Sequence, residues 1–152
     1  MEAIIFCGIQ ASGKTTFYQE KFFKTHIRIS LDLLNTRGKE NKFLQTCFET
    51  QQRFVIDNTN ATKKERQKYI EAAKQFKFKL ICYYFHATLG EAKTRNKNRI
   101  GKEHVPAAGI GGTFKKLQVP LYDEGFDEIN IVEIAESEFK ITLLEKEQRD
   151  HL

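Results

Sequence analysis

An apolar run, "AIIFC" at residues 3–7, passes directly into "GIQASGKTT" at residues 8–16. A continuous apolar strand is what a parallel sheet buried on both faces needs, and a glycine-rich loop entering a helix is the context that gives G-x-x-x-x-G-K-[ST] its meaning. Gly8, Gly13, Lys14 and Thr15 satisfy that pattern. Glycines let backbone N–H groups wrap closely around phosphate oxygens, and the following helix N-terminus adds a favourable dipole. Residues Gly8, Ile9, Gln10, Ala11, Ser12, Gly13, Lys14, Thr15 and Thr16 are therefore the expected ATP-binding loop. Lys14 is placed to bridge the β- and γ-phosphates and the Thr15 hydroxyl to hold Mg²⁺. A plain glycine turn with an exposed lysine is the alternative reading.

The rest of the chain alternates strand and helix signals. "HIRIS" (26–30), "RFVID" (53–57), "FKLICYYFHA" (78–87) and "EINIVEI" (128–134) read as further strands, giving five in all. Helices are expected at about 13–24, 39–52 and 88–99, and a further one is expected to start at Thr62 and carry Tyr69, Ile70 and Ala73, with Thr62/Glu65 and Thr88/Glu91 as capping boxes. Gly101, Pro106, Gly109, Gly111 and Gly112 predict a mobile connection over 101–113, with a short helix only at 114–118. The expected fold is α/β: a five-stranded parallel sheet with helices on both faces and a helical lid over about 89–118. One domain over residues 1–152 suits the length and a composition of 40% hydrophobic and 30% charged residues; residues from about 135 onward read as a charged tail. Cys7, Cys47 and Cys82 fall in segments expected to be buried, and no apolar run is long enough for a membrane span, so a cytoplasmic protein with reduced thiols is expected. Subunit number is not fixed by the sequence, and a homo-oligomer stays open.

Ligands of such sheets bind at the carboxyl ends of strands, so the polar residues there carry the chemistry. Asp32 follows the second strand and can accept the proton of an attacking hydroxyl; capping a short helix is its bland alternative. Asp57 ends the third strand where an acid holds Mg²⁺ or its waters. Asn58, Thr59 and Asn60 can bind a ribose or phosphate, although such runs also form ordinary turns. Arg95 and Arg99, four apart, are expected on one helix face as guanidinium groups supplied in cis to the transferred phosphoryl. They belong to a basic stretch with Lys93, Lys97 and Lys102, read as polyanion-binding within a net charge of +5. A second stretch, Lys63, Lys64, Arg66 and Lys68, suits a solvated helix face equally well. Tyr83, Tyr84 and Phe85 read as core. The four histidines have no metal-ligand spacing, and "NKNR" lacks the acid of a guanine-reading signature.

Together "GIQASGKTT", "SLD", "VIDNTNAT", "RNKNR", "VP" and "EGFDEI" resemble, in order and approximate spacing, the 5′-hydroxyl polynucleotide kinases, the P-loop kinase modules of phage-type and animal nucleic-acid end-healing enzymes. The resemblance covers about residues 3–132. It implies the P-loop kinase fold with strand order 2-3-1-4-5, and transfer of the γ-phosphate of ATP to a 5′-hydroxyl of DNA or RNA. It also implies that Asp32 is the general base, that Thr59 lies near the acceptor's phosphate, and that Arg95 and Arg99 are lid arginines at the donor phosphates. Where family members carry an arginine just before the catalytic aspartate or three residues after it, this chain has Leu31 and Asn35, leaving Arg37 as the candidate acceptor-binding cation. The D-x-D-x-T motif of the companion phosphatases does not occur, so no 3′-phosphatase activity is expected. The sequence thus points to an ATP- and Mg²⁺-dependent kinase with a nucleic-acid 5′ end as acceptor. A kinase for a nucleoside, nucleotide or other metabolite, and an ATP-binding switch without an acceptor, are the alternatives.

Overall fold

The run of apolar residues that opens the chain becomes the central strand of a sheet covered on both faces. In β1 (Glu2–Cys7), Ala3, Ile5 and Cys7 join one hydrophobic cluster while Ile4 and Phe6 join the other, as the two-residue period of a strand requires. The computed structural model describes residues 1–101 and 104–146. After β1 come α1 (Lys14–Lys21), β2 (Ile27–Ile29), α2 (Leu31–Leu34), α3 (Arg37–Thr50), β3 (Phe54–Ile56), α4 (Lys63–Gln75) and β4 (Lys79–Phe85). They are followed by α5 (Leu89–Lys97), α6 (Ala107–Lys116), a 3₁₀ turn at Tyr122–Glu124, β5 (Glu128–Ala135) and β6 (Glu138–Leu144).

The sheet has six strands, in the order β2-β3-β1-β4-β5-β6, rather than the five expected. The first five are parallel, and β6 runs antiparallel to β5. The extra strand comes from residues read as tail. Glu136 and Ser137 both take positive φ, 52° and 65°, the geometry of a two-residue hairpin turn. That turn is usually written with Asn or Gly, so its Glu-Ser version gives little signal. Phe139 of β6 seats the hairpin against Phe17 of α1, ring centroids 5.1 Å apart.

One face of the sheet is covered by α3 and α4, with Phe48, Tyr69 and Ile70 packed on Ile5 and Ile56. On the other, Phe6, Phe17, Phe22, Tyr83 and Phe85 form a set of mostly edge-on rings that fixes α1 behind the glycine loop. A third, small cluster joins Ile9 and Ala11 of that loop to Ala92 of α5 and Ile110 of α6. It explains why α6 is one uninterrupted helix despite Gly109, Gly111 and Gly112. Pro106 sits at its N-cap, Ile110 is fully buried, and Gly109 leaves room for Val105, whose Cγ1 a β-carbon would approach to 3.2 Å. Tertiary burial here outweighs the roughly 1 kcal/mol that each helical glycine costs. Among the described residues no helix is long and apolar enough to cross a membrane.

Candidate active site

Both motif glycines are needed for steric reasons. A β-carbon at Gly8 would lie 2.9 Å from the Phe85 β-carbon, and one at Gly13, whose φ is +97°, would come within 3.1 Å of Ile134 and Phe139. The loop is tied to its neighbour by a hydrogen bond from Gly8 N–H to the Thr59 carbonyl, 2.9 Å. Lys14 folds back over it, its ammonium donating to the carbonyls of Gly8 (3.0 Å) and Ile9 (2.7 Å). Desolvation by the enclosing loop lowers the Lys14 pKa to about 8; the carboxylates of Asp57 and Asp32 oppose this and the Arg99 guanidinium adds to it.

β1, β2 and β3 end side by side, so their exits meet at Lys14. A cavity of about 560 Å³ opens there, lined by Gln10, Ala11, Lys14, Thr15, Gln19, Arg28, Leu31, Asp32, Leu33, Asp57, Asn58, Thr59, Arg99 and Val105. Asp32 stands inside α2, and the N-cap is Ser30, whose hydroxyl accepts from Asp32 N–H. The N-cap position of this short helix therefore belongs to Ser30 and not to Asp32. α2 is held by Asn58, whose Oδ1 accepts from Leu31 N–H at 2.9 Å.

The other expected site residues are distributed as follows. Ile9 and Ser12 are buried within the loop, and Thr16 is exposed in the first turn of α1. Asn60 does not line the cavity: it is buried and donates to the Phe6 carbonyl at 2.8 Å, fastening β1 to the exit of β3. Arg37 is also outside the lining, its Nη1 donating to Glu40 (3.1 Å) and to the Tyr69 hydroxyl (3.0 Å). Arg95 and Arg99 do not share a helix face, since α5 ends at Lys97. Arg95 donates to the Ala11 carbonyl at 3.4 Å, while Arg99 reaches the cavity from the segment after the helix. Asn96 clasps that segment at its far end by pairing with both backbone groups of Val105. Lys102 of the same basic stretch lies outside the described residues, as do 147–152. In the second basic stretch Arg66 is no surface residue: fully buried, it holds Glu124 through two hydrogen bonds of 2.8 and 3.0 Å and also donates to the Asn60 carbonyl.

The sequence leaves two residues, Arg28 and Glu40, and one contact of the expected loop residue Gln10 unannounced. Arg28 of β2 enters the cavity and pairs with Asp57, Nε to Oδ2 at 2.8 Å; a cation within an otherwise apolar strand was the available signal. Gln10 donates to Thr113 of α6 at 2.9 Å, joining the loop to that helix. Glu40, completely buried, gathers Arg37, Lys68, Tyr69 and Asn58 around one carboxylate. Burial pushes the Glu40 carboxyl up, but hydrogen bonds from Lys68 and Tyr69 and the charges of Lys68 and Arg37 outweigh it, leaving the group below its ordinary range.

A magnesium ion suits the donors at the base of the cavity. The Thr15 hydroxyl donates to Asp57 Oδ2 across 3.0 Å. Adjacent ligands of an octahedral Mg²⁺, at about 2.1 Å from the metal, stand about 3 Å apart, and hard oxygens are its preferred donors.

With this geometry in view, comparisons with known proteins place the chain. A family model described as "AAA domain" matches residues 36–118, more than half of the chain. The bifunctional polynucleotide phosphatase/kinase of Schizosaccharomyces pombe (strain 972 / ATCC 24843) is 25% identical over 135 residues, which take in 86% of this chain and 33% of that protein. The chain thus spans about a third of the length of this curated relative. Among solved structures, a gluconokinase from Sinorhizobium meliloti 1021 superimposes with a TM-score of 0.64 at 18% identity, covering 89% of this chain and 83% of that one. The AvrRxo1-ORF1:-ORF2 complex with ATP gives 0.69 at 13% identity, over 94% of this chain and 57% of that one. At such identities the structural likeness speaks for the fold alone. The chain belongs to the AAA-domain family and has a kinase-like P-loop α/β fold.

Proposed function

We propose that the protein is an ATP- and Mg²⁺-dependent kinase that transfers the γ-phosphate to the 5′-hydroxyl end of DNA or RNA. The observation that carries this reading is the convergence of Lys14, Asp32 and Arg99 on one cavity. A hydrolytic or switch site needs no carboxylate on the acceptor side. The loop N–H groups and the Lys14 ammonium hold the phosphate chain, and Thr15 and Asp57 would hold Mg²⁺, which when bound neutralises charge on the outer phosphates. Asp32 accepts the proton of the incoming alcohol as its oxygen bonds to the γ-phosphorus and the bond from phosphorus to the β–γ bridging oxygen breaks. Arg99 donates to the oxygens of the transferred group, where preorganised charge contributes most in the transition state. The proton leaves Asp32 for solvent, and ADP departs. The choice of a nucleic-acid acceptor is supported by the likeness to the S. pombe phosphatase/kinase and by the net charge of +5.

A second reading, a small-molecule acceptor, is favoured by one observation: Arg37 is engaged with Glu40 and Tyr69 and does not line the cavity. The test offers γ-labelled ATP with 5′-hydroxyl DNA, 5′-hydroxyl RNA, a nucleoside 3′-monophosphate, a nucleoside and gluconate in separate reactions. Label at the oligonucleotide 5′ end supports the first reading. Label on a small acceptor alone supports the second, and slow release of inorganic phosphate alone contradicts both.

A further inference from the structure

Asp57 Oδ2 has two neighbours, and together they use its acceptor capacity. The Thr15 hydroxyl donates to it at 3.0 Å and Arg28 Nε at 2.8 Å, which fills the two lone-pair sites of a carboxylate oxygen. The Thr15 oxygen in turn accepts from Arg28 Nη2 at 3.4 Å. One guanidinium therefore spans both oxygens that would bind the metal. The Asp57 side chain is 3% exposed and that of Arg28 24%, so the pair is partly desolvated and weakly screened. Arg28 is fixed in this place by its strand: β2 runs parallel to β3 in the register Arg28↔Val55, and the long side chain reaches forward to Asp57, two residues beyond Val55.

We propose that Arg28 is an internal counter-cation at the metal position, which Mg²⁺ must displace from Asp57 and which substitutes for the metal when nucleotide binds without it. The inference rests on the nucleotide site described above but not on the identity of the acceptor. Arg28 is a positioning residue in this role: it keeps the Thr15 hydroxyl and Asp57 carboxylate together in the absence of metal and lowers the apparent affinity for Mg²⁺. Its guanidinium also adds positive charge to a cavity that already holds Lys14 and Arg99, so binding of ATP depends less on the metal than the acidic ligand alone would dictate.

The test measures ATP affinity by calorimetry, without any acceptor, in EDTA and in saturating Mg²⁺, for the wild-type protein, Arg28→Gln and Arg28→Lys. The readout is the ratio of the two dissociation constants. Arg28→Gln should raise that ratio at least about tenfold, a modest share of what a unit charge at contact distance supplies at a partly exposed site. Arg28→Lys keeps the charge but cannot span both oxygens, so its ratio should fall between the other two. Equal ratios in all three proteins, or a smaller ratio in Arg28→Gln, would overturn the proposal. If Arg28→Gln does not fold, Arg28→Lys decides alone: a ratio above wild type supports the proposal and an unchanged one rejects it. No phosphoryl transfer is read, so failure of every acceptor to gain label would sink the kinase reading and leave this result standing, whereas a wild-type protein that binds no ATP would remove both.

Discussion

Asp32, Arg99 and Lys14 share one cavity but face different atoms of the proposed reaction, and single substitutions should separate them. Asp32→Asn keeps the size of the side chain and removes the carboxylate charge that the proposed reaction uses as base. Transfer should fall by about 10²–10⁴, the usual contribution of a general base, with ATP affinity unchanged within about twofold. Turnover near wild type would remove Asp32 from the mechanism. Arg99→Ala should lower kcat far more than it weakens ATP binding, because the proposed reaction uses its charge on the transferred group; equal losses in both would make it a ground-state ligand. The position of the loop residues and of Asp32 at the carboxyl edge was legible in the sequence, because each lies just beyond a strand and the chain path alone puts it there. Arg28 and Glu40 were not, since their partners Asp57 and Asn58 lie 29 and 18 residues away and only the packed fold brings them together. The three cysteines are a simpler case. All are buried, and burial pushes the Cys7 and Cys47 thiols up to about 11. Folded protein should resist iodoacetamide at neutral pH and take up three equivalents after unfolding, by mass spectrometry; rapid labelling of the native state would contradict the burial.

Strands and capped helices were readable because their signals are local. The Thr88/Glu91 capping box forms as expected, and at α4 the Thr62 hydroxyl accepts from Glu65 N–H. The Glu65 carboxylate reaches Ala61 N–H instead of the N-cap. α6 and β6 were misread for the opposite reason: each is stabilised by contacts that no local pattern reveals. For α6 the anchor is Ile110, packed on Ile9, Ala11 and Ala92. Ile110→Ala should destabilise the protein by about 2–5 kcal/mol in denaturant unfolding and loosen the connection that presents Arg99; an effect below about 1 kcal/mol would mean that α6 is not docked on the loop. A buried ion pair does the same work between α4 and the 3₁₀ turn. Glu124→Gln leaves the Arg66 charge unpaired in the interior and should cost about 3–5 kcal/mol.

Across the whole molecule the sheet order explains why the site sits where it does. β1 lies between β3 and β4, so the loop after β1 is flanked by Asp57 on one side and by α5 and α6 on the other, and β2 brings Asp32 to the outer rim. The Glu40 cluster joins α3, α4 and the exit of β3 beneath that rim, and it gives stability a pH dependence. A carboxyl held below its ordinary value of 4.5 contributes stability that is complete above that value and is lost as pH falls through the folded-state value. Glu40→Gln should therefore be most destabilising near neutral pH, and the difference from wild type should shrink on acidification below about 4.5; a constant difference across that range would show that the ionised form is not the stabilising one. The proposed reaction requires an alcohol oxygen to meet the outermost phosphorus beside Asp32. Its most direct test is single-turnover transfer from ATP to a 5′-hydroxyl oligonucleotide, with the product's phosphorylated end identified by mass spectrometry for wild type and Asp32→Asn. A 5′-phosphorylated product is expected from wild type and almost none from Asp32→Asn at the same ATP occupancy. Equal product from both proteins, or none from wild type under conditions where it binds ATP, would contradict it.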